Sequence, residues 1–119
     1  MYMEKSKSID LTFLKTFTSG DKVKMSKYIN MFLKHAPVLL SAIQRNLQES
    51  NWSDLKIAAH SLKPQLKYMG IGELESIVIL IEQMSSEEKR LDKLPSLIDQ
   101  LNTICQKAMT ELKMELEMV

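Results

Sequence analysis

From Asp21 onward the chain repeats one spacing: Met25, Ile29, Phe32, Ala36, Leu39, Leu40, Ile43 and Leu47 recur at intervals of mostly three or four residues. That period lays them along one stripe of a helix, close to the repeat of a bundle seam. Asp21 stands where a helix N-cap is wanted, and Pro37 interrupts the stripe, which predicts a kink or a fresh turn there. The same reading continues with Trp52, Leu55, Ala59, Leu62, Leu66 and Met69, ending at Gly70 as a left-handed C-cap residue. Next comes a segment containing Ile77–Ile81, apolar almost all round and therefore expected to lie deepest. Leu94, Leu97, Leu101, Ile104, Ala108 and Leu112 form the last stripe. A short first helix, capped by Asp10, stops at Thr18-Ser19-Gly20, and the charged run SSEEKRLDK reads as a loop. The predicted helices are about 10–17, 21–48, 51–70, 72–84 and 94–117. No stretch alternates as a strand does, and short breaks between long amphipathic helices imply antiparallel neighbours. The expected fold is all-α: an up-down antiparallel four-helix bundle with a short additional N-terminal helix, one domain over residues 1–119.

Composition narrows the function classes. A hydrophobic fraction of 45% with 26% charged residues is that of an ordinary soluble domain, and 119 residues close one core but not two. Net charge +1 argues against a dedicated nucleic-acid binder, whose footprint is clearly basic. The single Cys105, among Leu101, Ile104 and Ala108, reads as a buried structural thiol, and no Cys/His spacing suggests a metal site. The first ten residues lack the apolar core of a secretion signal, and the longest aliphatic run is too short to span a bilayer. The expected setting is cytoplasmic, with no direct membrane insertion. The initial Met and the charged ends favour a free-standing protein over a piece of a larger kinase.

The chemistry-bearing stretch is AHSLKPQLKYMG, residues 59–70. At about 100° per residue, Lys56, Lys63 and Lys67 share a face with His60, just outside the apolar stripe. A neutral imidazole, with a reference pKa of about 6.5, is a good nucleophile near pH 7. The charge that a phosphoryl group would add to it is matched by ammonium groups one turn away. Phosphoryl transfer needs chiefly positioning and charge neutralisation, so one exposed histidine on a stiff helix suffices as a carrier. It does not suffice as an independent catalyst, because the sequence offers no Gly-rich phosphate loop or paired acidic cluster. His35, beside one lysine and near a proline, is assigned no role.

These residues resemble the signature of the histidine-containing phosphotransfer (HPt) domain family: His60, apolar Leu62, Lys63, then Pro64 where the family usually has Gly, and Gly70. FLKHAPVLLSAIQRNL and NWSDLKIAAHSLK are similar to its second and third helices. The resemblance implies a phosphocarrier in a multistep two-component phosphorelay. His60 would accept a phosphoryl group on its outer ring nitrogen from a receiver-domain aspartyl phosphate and pass it to another receiver, without turnover of its own. It implies no cofactor on this chain and no metal ligand, with Mg²⁺ carried by the receiver. The partners implied are response-regulator receivers and a hybrid sensor histidine kinase, and the expected state is a monomer. Lys63 would steady the phosphate, with Gln65 donating a hydrogen bond near it and Lys67 and Lys56 as further cations. Pro64 would substitute rigidity for the smallness of Gly, keeping the approach open. Leu14, Phe17 and Met25 are the expected receiver-docking residues. The competing reading is a helical adaptor that docks a receiver or kinase without being phosphorylated.

Overall fold

The seam that begins after Asp21 builds the longest element of the protein. In the computed structural model, which describes residues 8–118, α2 runs Lys22–Gln48 without a break. Asp21 caps it as expected, its carboxylate accepting from the Lys24 backbone N–H at 3.1 Å. Pro37 does not interrupt the helix. Its ring removes one donor from the Leu33 carbonyl, but Pro37 is exposed, on the side where water can replace that donor. At about 1.5 Å per residue, α2 accounts for the 42 Å long axis of the molecule.

The other long helices are α3 (Trp52–Tyr68), α4 (Gly72–Glu87) and α5 (Leu94–Met118), and a short α1 (Thr12–Phe17) precedes them. Each long helix packs against two others in the cyclic order α2, α3, α4, α5, and α1 rests on α3. No strand occurs among the described residues. Leu55, Leu62, Leu66, Phe32, Ile43, Leu74, Ile81 and Leu101 are among the side chains wholly removed from water at the centre. Burying one such Leu or Ile contributes roughly 1.5–3 kcal/mol.

Three local expectations are corrected. Asp10 does not cap α1: it lies two residues before Thr12, whose backbone N–H it accepts at 3.0 Å. Its own N–H donates to the Met69 carbonyl at 3.3 Å, which ties the chain entering α1 to the end of α3. Helix α4 runs one turn further than predicted, because Ser85 is 2% exposed and packs inward, leaving less of the SSEEKRLDK run as loop. Nor is α4 apolar-buried all round: Ile79 and Leu80 are 48% and 40% exposed.

Helix α3 stops where the sequence says it must. Gly70 takes φ +65°, and the Gly70 and Ile71 N–H groups donate to the Lys67 and Leu66 carbonyls at 3.1 and 2.9 Å, a complete Schellman cap. A Cβ at Gly70 would collide with the Asp10 backbone, so this glycine is required twice, by its torsion and by that close approach. The cap fixes the end of the helix that carries the histidine.

Candidate functional site

His60 stands on the outward face of α3, its side chain 66% exposed, on a stretch of helix whose opposite side holds Ala59, Leu62 and Leu66 in the core. Helix α4 runs alongside and presents Glu82. His60 Nδ1 lies 2.8 Å from Glu82 Oε2. Lys63 Nζ lies 2.9 Å from the other carboxylate oxygen, Oε1, off the ideal hydrogen-bond direction and therefore mainly as an ion pair. Glu82 is only 15% exposed, so its carboxylate is held firmly between the two helices.

A carboxylate can only accept, so in the neutral ring the proton must sit on Nδ1. The lone pair then belongs to Nε2, on the side of the ring away from Glu82. Burial pushes the Glu82 pKa upward and is the largest single influence on it, but the contacts with Lys63 and His60, through their polar N–H groups and their charge together, outweigh burial and hold it below its ordinary value. Glu82 is therefore ionised at neutral pH and acts as a fixed acceptor beneath the imidazole.

This arrangement can form a nitrogen–phosphorus bond without moving a proton. Nε2 attacks phosphorus through its lone pair, and the leaving oxygen departs with its own bond pair. The ring becomes cationic, with Nδ1–H still held against the Glu82 carboxylate. A phosphoryl group would add negative charge on the outer side, and Lys63, paired with the same carboxylate as His60, is a cation held beside the ring.

The remaining predicted residues divide. Lys56 is exposed one turn before His60. Lys67 is on the predicted face but two turns along, and its ammonium lies over the Phe13 ring, 5.4 Å from the centroid. It serves α1 packing through a cation–π contact and does not surround His60. Gln65 is not brought to His60 either: five residues on, it is about 140° around the helix and lines a cleft with Tyr28, Met31, His35 and Tyr68. Pro64 is exposed and α3 continues through it, so the side chain leaves the outer face low and fixed. Gly70 acts at the cap, as above. Of the expected docking residues, Leu14 is wholly buried in the core and Met25 faces Ile9, Leu11 and Glu115, across the molecule's other flank. Only Phe17, 51% exposed, is open to a partner.

Two features escape sequence reasoning. Glu82 is the first; it is the one charged residue between Glu75 and Glu87, a carboxylate set into an aliphatic run, and that isolation was its signal. The second is an aromatic cluster in which Phe17 meets Tyr28 and Tyr68 edge-on at 5.6 and 5.3 Å, Tyr28 stacks on Tyr68 at 5.4 Å, and Phe13 joins Tyr68 at 5.7 Å. It docks α1 on α2 and the end of α3.

The sequence matches the family profile described as the Hpt domain over residues 27–118. The chain belongs to the Hpt domain family. Among solved structures, the fold matches histidine-containing phosphotransfer protein B (HptB) from Pseudomonas aeruginosa PAO1 with a TM-score of 0.87. That match covers 97% of this chain and 99% of the other at 19% identity. No curated protein sequence matches. As an Hpt domain the chain has a histidine phosphotransfer role in a phosphorelay, and Hpt domains work with receiver domains and kinases. Among the described residues no helix is long and apolar enough to cross a membrane.

Proposed function

We propose that His60 is the phosphoryl acceptor of this Hpt domain, through Nε2, and that the group arrives from an aspartyl phosphate on one receiver and leaves to the aspartate of another. The observation that carries the reading is the 2.8 Å contact between Nδ1 and the Glu82 carboxylate, which leaves Nε2 as the exposed nucleophile. Glu82 fixes the tautomer and balances the cationic ring. Lys63, shared with Glu82 in the unphosphorylated state, turns to the phosphoryl oxygens once they are present. The receiver supplies the aspartate and the Mg²⁺, so this chain acts as a carrier without independent turnover. Its place is the cytoplasm, downstream of a hybrid sensor histidine kinase, and it works as a monomer.

The test is direct. A receiver domain phosphorylated with acetyl phosphate in Mg²⁺ is mixed with the protein, and the label transferred is challenged with acid and base. An acid-labile, base-stable label that is absent in His60→Gln is expected. A label that persists in that variant, or no transfer to the folded parent by receivers or by the small-molecule donor phosphoramidate, refutes the assignment and leaves a docking module.

A further inference from the structure

Two prolines lie inside helices of this protein, Pro37 in α2 and Pro64 in α3, and neither helix breaks. In a helix interior the N–H of each residue donates to the carbonyl four residues back. The donor missing at Pro64 is therefore the one that would serve the His60 carbonyl. Proline is the costliest residue a helix interior can carry. Pro64 is exposed, so no core packing offsets that cost.

The orphaned oxygen falls on the turn that carries the nucleophile. Pro64 follows His60 by about 6 Å along the axis and about 40° around it, on the flank away from Lys63 and Glu82. The Ile57 carbonyl, one turn earlier, makes the contrast: it accepts from the Ser61 hydroxyl at 2.9 Å, in addition to its helical donor. No side chain of the described residues donates to the His60 carbonyl. His60 and Pro64 are both exposed, so in the free protein water can serve that oxygen.

During transfer water cannot. Nε2 must come within about 3 Å of phosphorus, in line with the bond that breaks. The surface presenting the aspartyl phosphate then covers the turn from His60 to Pro64. An acceptor that loses its water and gains no donor weakens such a complex about 5–150-fold.

Resting on the phosphocarrier reading, we infer that Pro64 is a specificity-determining residue: by orphaning the His60 carbonyl it selects receivers that bring an N–H donor against that oxygen, and it penalises receivers that do not. The donor can be a backbone amide, a side-chain amide or an ammonium group. It keeps its proton throughout, so the contact sits beside the reaction and adds no step to it. Pro64 touches neither the phosphorus nor the attacking nitrogen, and acts through the backbone of the residue that does. Selection by an unpaired polar atom is sharper than selection by apolar contact, because the missing partner has no substitute once water is excluded.

Second-order transfer rates from a panel of receiver domains, each phosphorylated with acetyl phosphate in Mg²⁺, test this in single turnover. Three proteins are compared: the parent, Pro64→Ala, which returns the N–H, and a chain with lactic acid at position 64, whose ester has neither ring nor N–H. In Pro64→Ala the preference of the parent for its best receiver is expected to fall about tenfold, the best rate dropping and the others rising. In the ester the preference is expected to return. Phosphoramidate labelling of His60 is expected to be equal in all three. A preference unchanged in Pro64→Ala, or an ester that behaves as Pro64→Ala does, overturns selection by the carbonyl. A loss in Pro64→Ala that is equal for every receiver overturns it too, and shows a turn altered as a whole. Transfer that continues in any of those cases leaves the carrier reading standing; failure of the parent to take label from both receiver and phosphoramidate overturns the carrier reading itself.

Discussion

Glu82→Gln separates the charge beneath His60 from the shape that carries it. The side chain keeps its length, and an amide oxygen can still accept from Nδ1–H, so the tautomer and the helix pairing survive. What disappears is a full negative charge 2.8 Å from a ring that becomes cationic on phosphorylation. Two unit charges about 4 Å apart interact by roughly 4 kcal/mol at an effective dielectric near 20. The His60 side chain is 66% exposed, so water screens a large part of this and about 1–2 kcal/mol remains. The equilibrium between phosphorylated protein and phosphorylated receiver should then move about 5–30-fold toward the receiver, with the accepting rate falling by part of that factor. Lys63 acts in the opposite sense, because the variant frees its ammonium for the phosphoryl oxygens. Glu82→Gln with Lys63→Met removes the compensation and should show the larger loss, and with Lys63→Met alone and the parent the two variants complete a cycle that isolates the carboxylate. Quenched mixtures with phosphorylated receiver measure rate and equilibrium, and long-range ¹H–¹⁵N spectra of the imidazole report the tautomer. Rates and equilibria within about twofold of the parent in both variants, or a parent ring protonated on Nε2 at neutral pH, refute the reasoning.

Four further outcomes follow from the same geometry. Lys63→Ala should keep the parental circular dichroism, since that side chain is 35% exposed, while transfer slows by about tenfold; lost helicity would show that Lys63 supports the fold. Gly70→Ala should lower stability by about 2–4 kcal/mol in urea unfolding, because the left-handed torsion and the collision with the Asp10 backbone add; a loss under about 1 kcal/mol contradicts the close approach. The Glu82 pKa is lower in the folded chain than its ordinary 4.5, so the stability from His60 and Lys63 is present above that pH and is lost as pH falls through the lowered value. Urea midpoints in that acid range should be less pH-dependent in Glu82→Gln, and an identical slope would refute the linkage. Burial pushes the Cys105 thiol up to about 11, so it should resist an aromatic disulfide reagent in the native protein and react fully in denaturant; fast native reaction would refute its placement in the core.

What could be read from the chain was what each helix decides for itself. The α2 seam, the Asp21 cap and the Gly70 stop are local, and they appear where the sequence put them. The outward face of His60 is local too, since it follows from being out of phase with Leu55, Ala59, Leu62 and Leu66. Errors arise where a second element enters. A helical wheel gives the angle of Lys67 but not its reach: about 10 Å along the axis from His60, it meets Phe13 of α1 before it can meet a phosphate. Leu14 and Met25 are apolar residues of the first two helices, where the resemblance puts receiver docking, yet a six-residue helix has one inward side, and Leu14 is on it. Ser85 looked like loop because its neighbours are charged, and only the packing of α4 shows it turned inward. Glu82 is the informative omission. Its role depends on the register between antiparallel α3 and α4, which sets residue 82 beside residues 60 and 63 and which no periodicity within either helix encodes. A phosphoacceptor histidine needs something to hold its inner nitrogen, and on an exposed helix face that partner must come from the helix alongside. The search that would have found Glu82 from sequence is therefore for an isolated carboxylate within the neighbouring helix's apolar run.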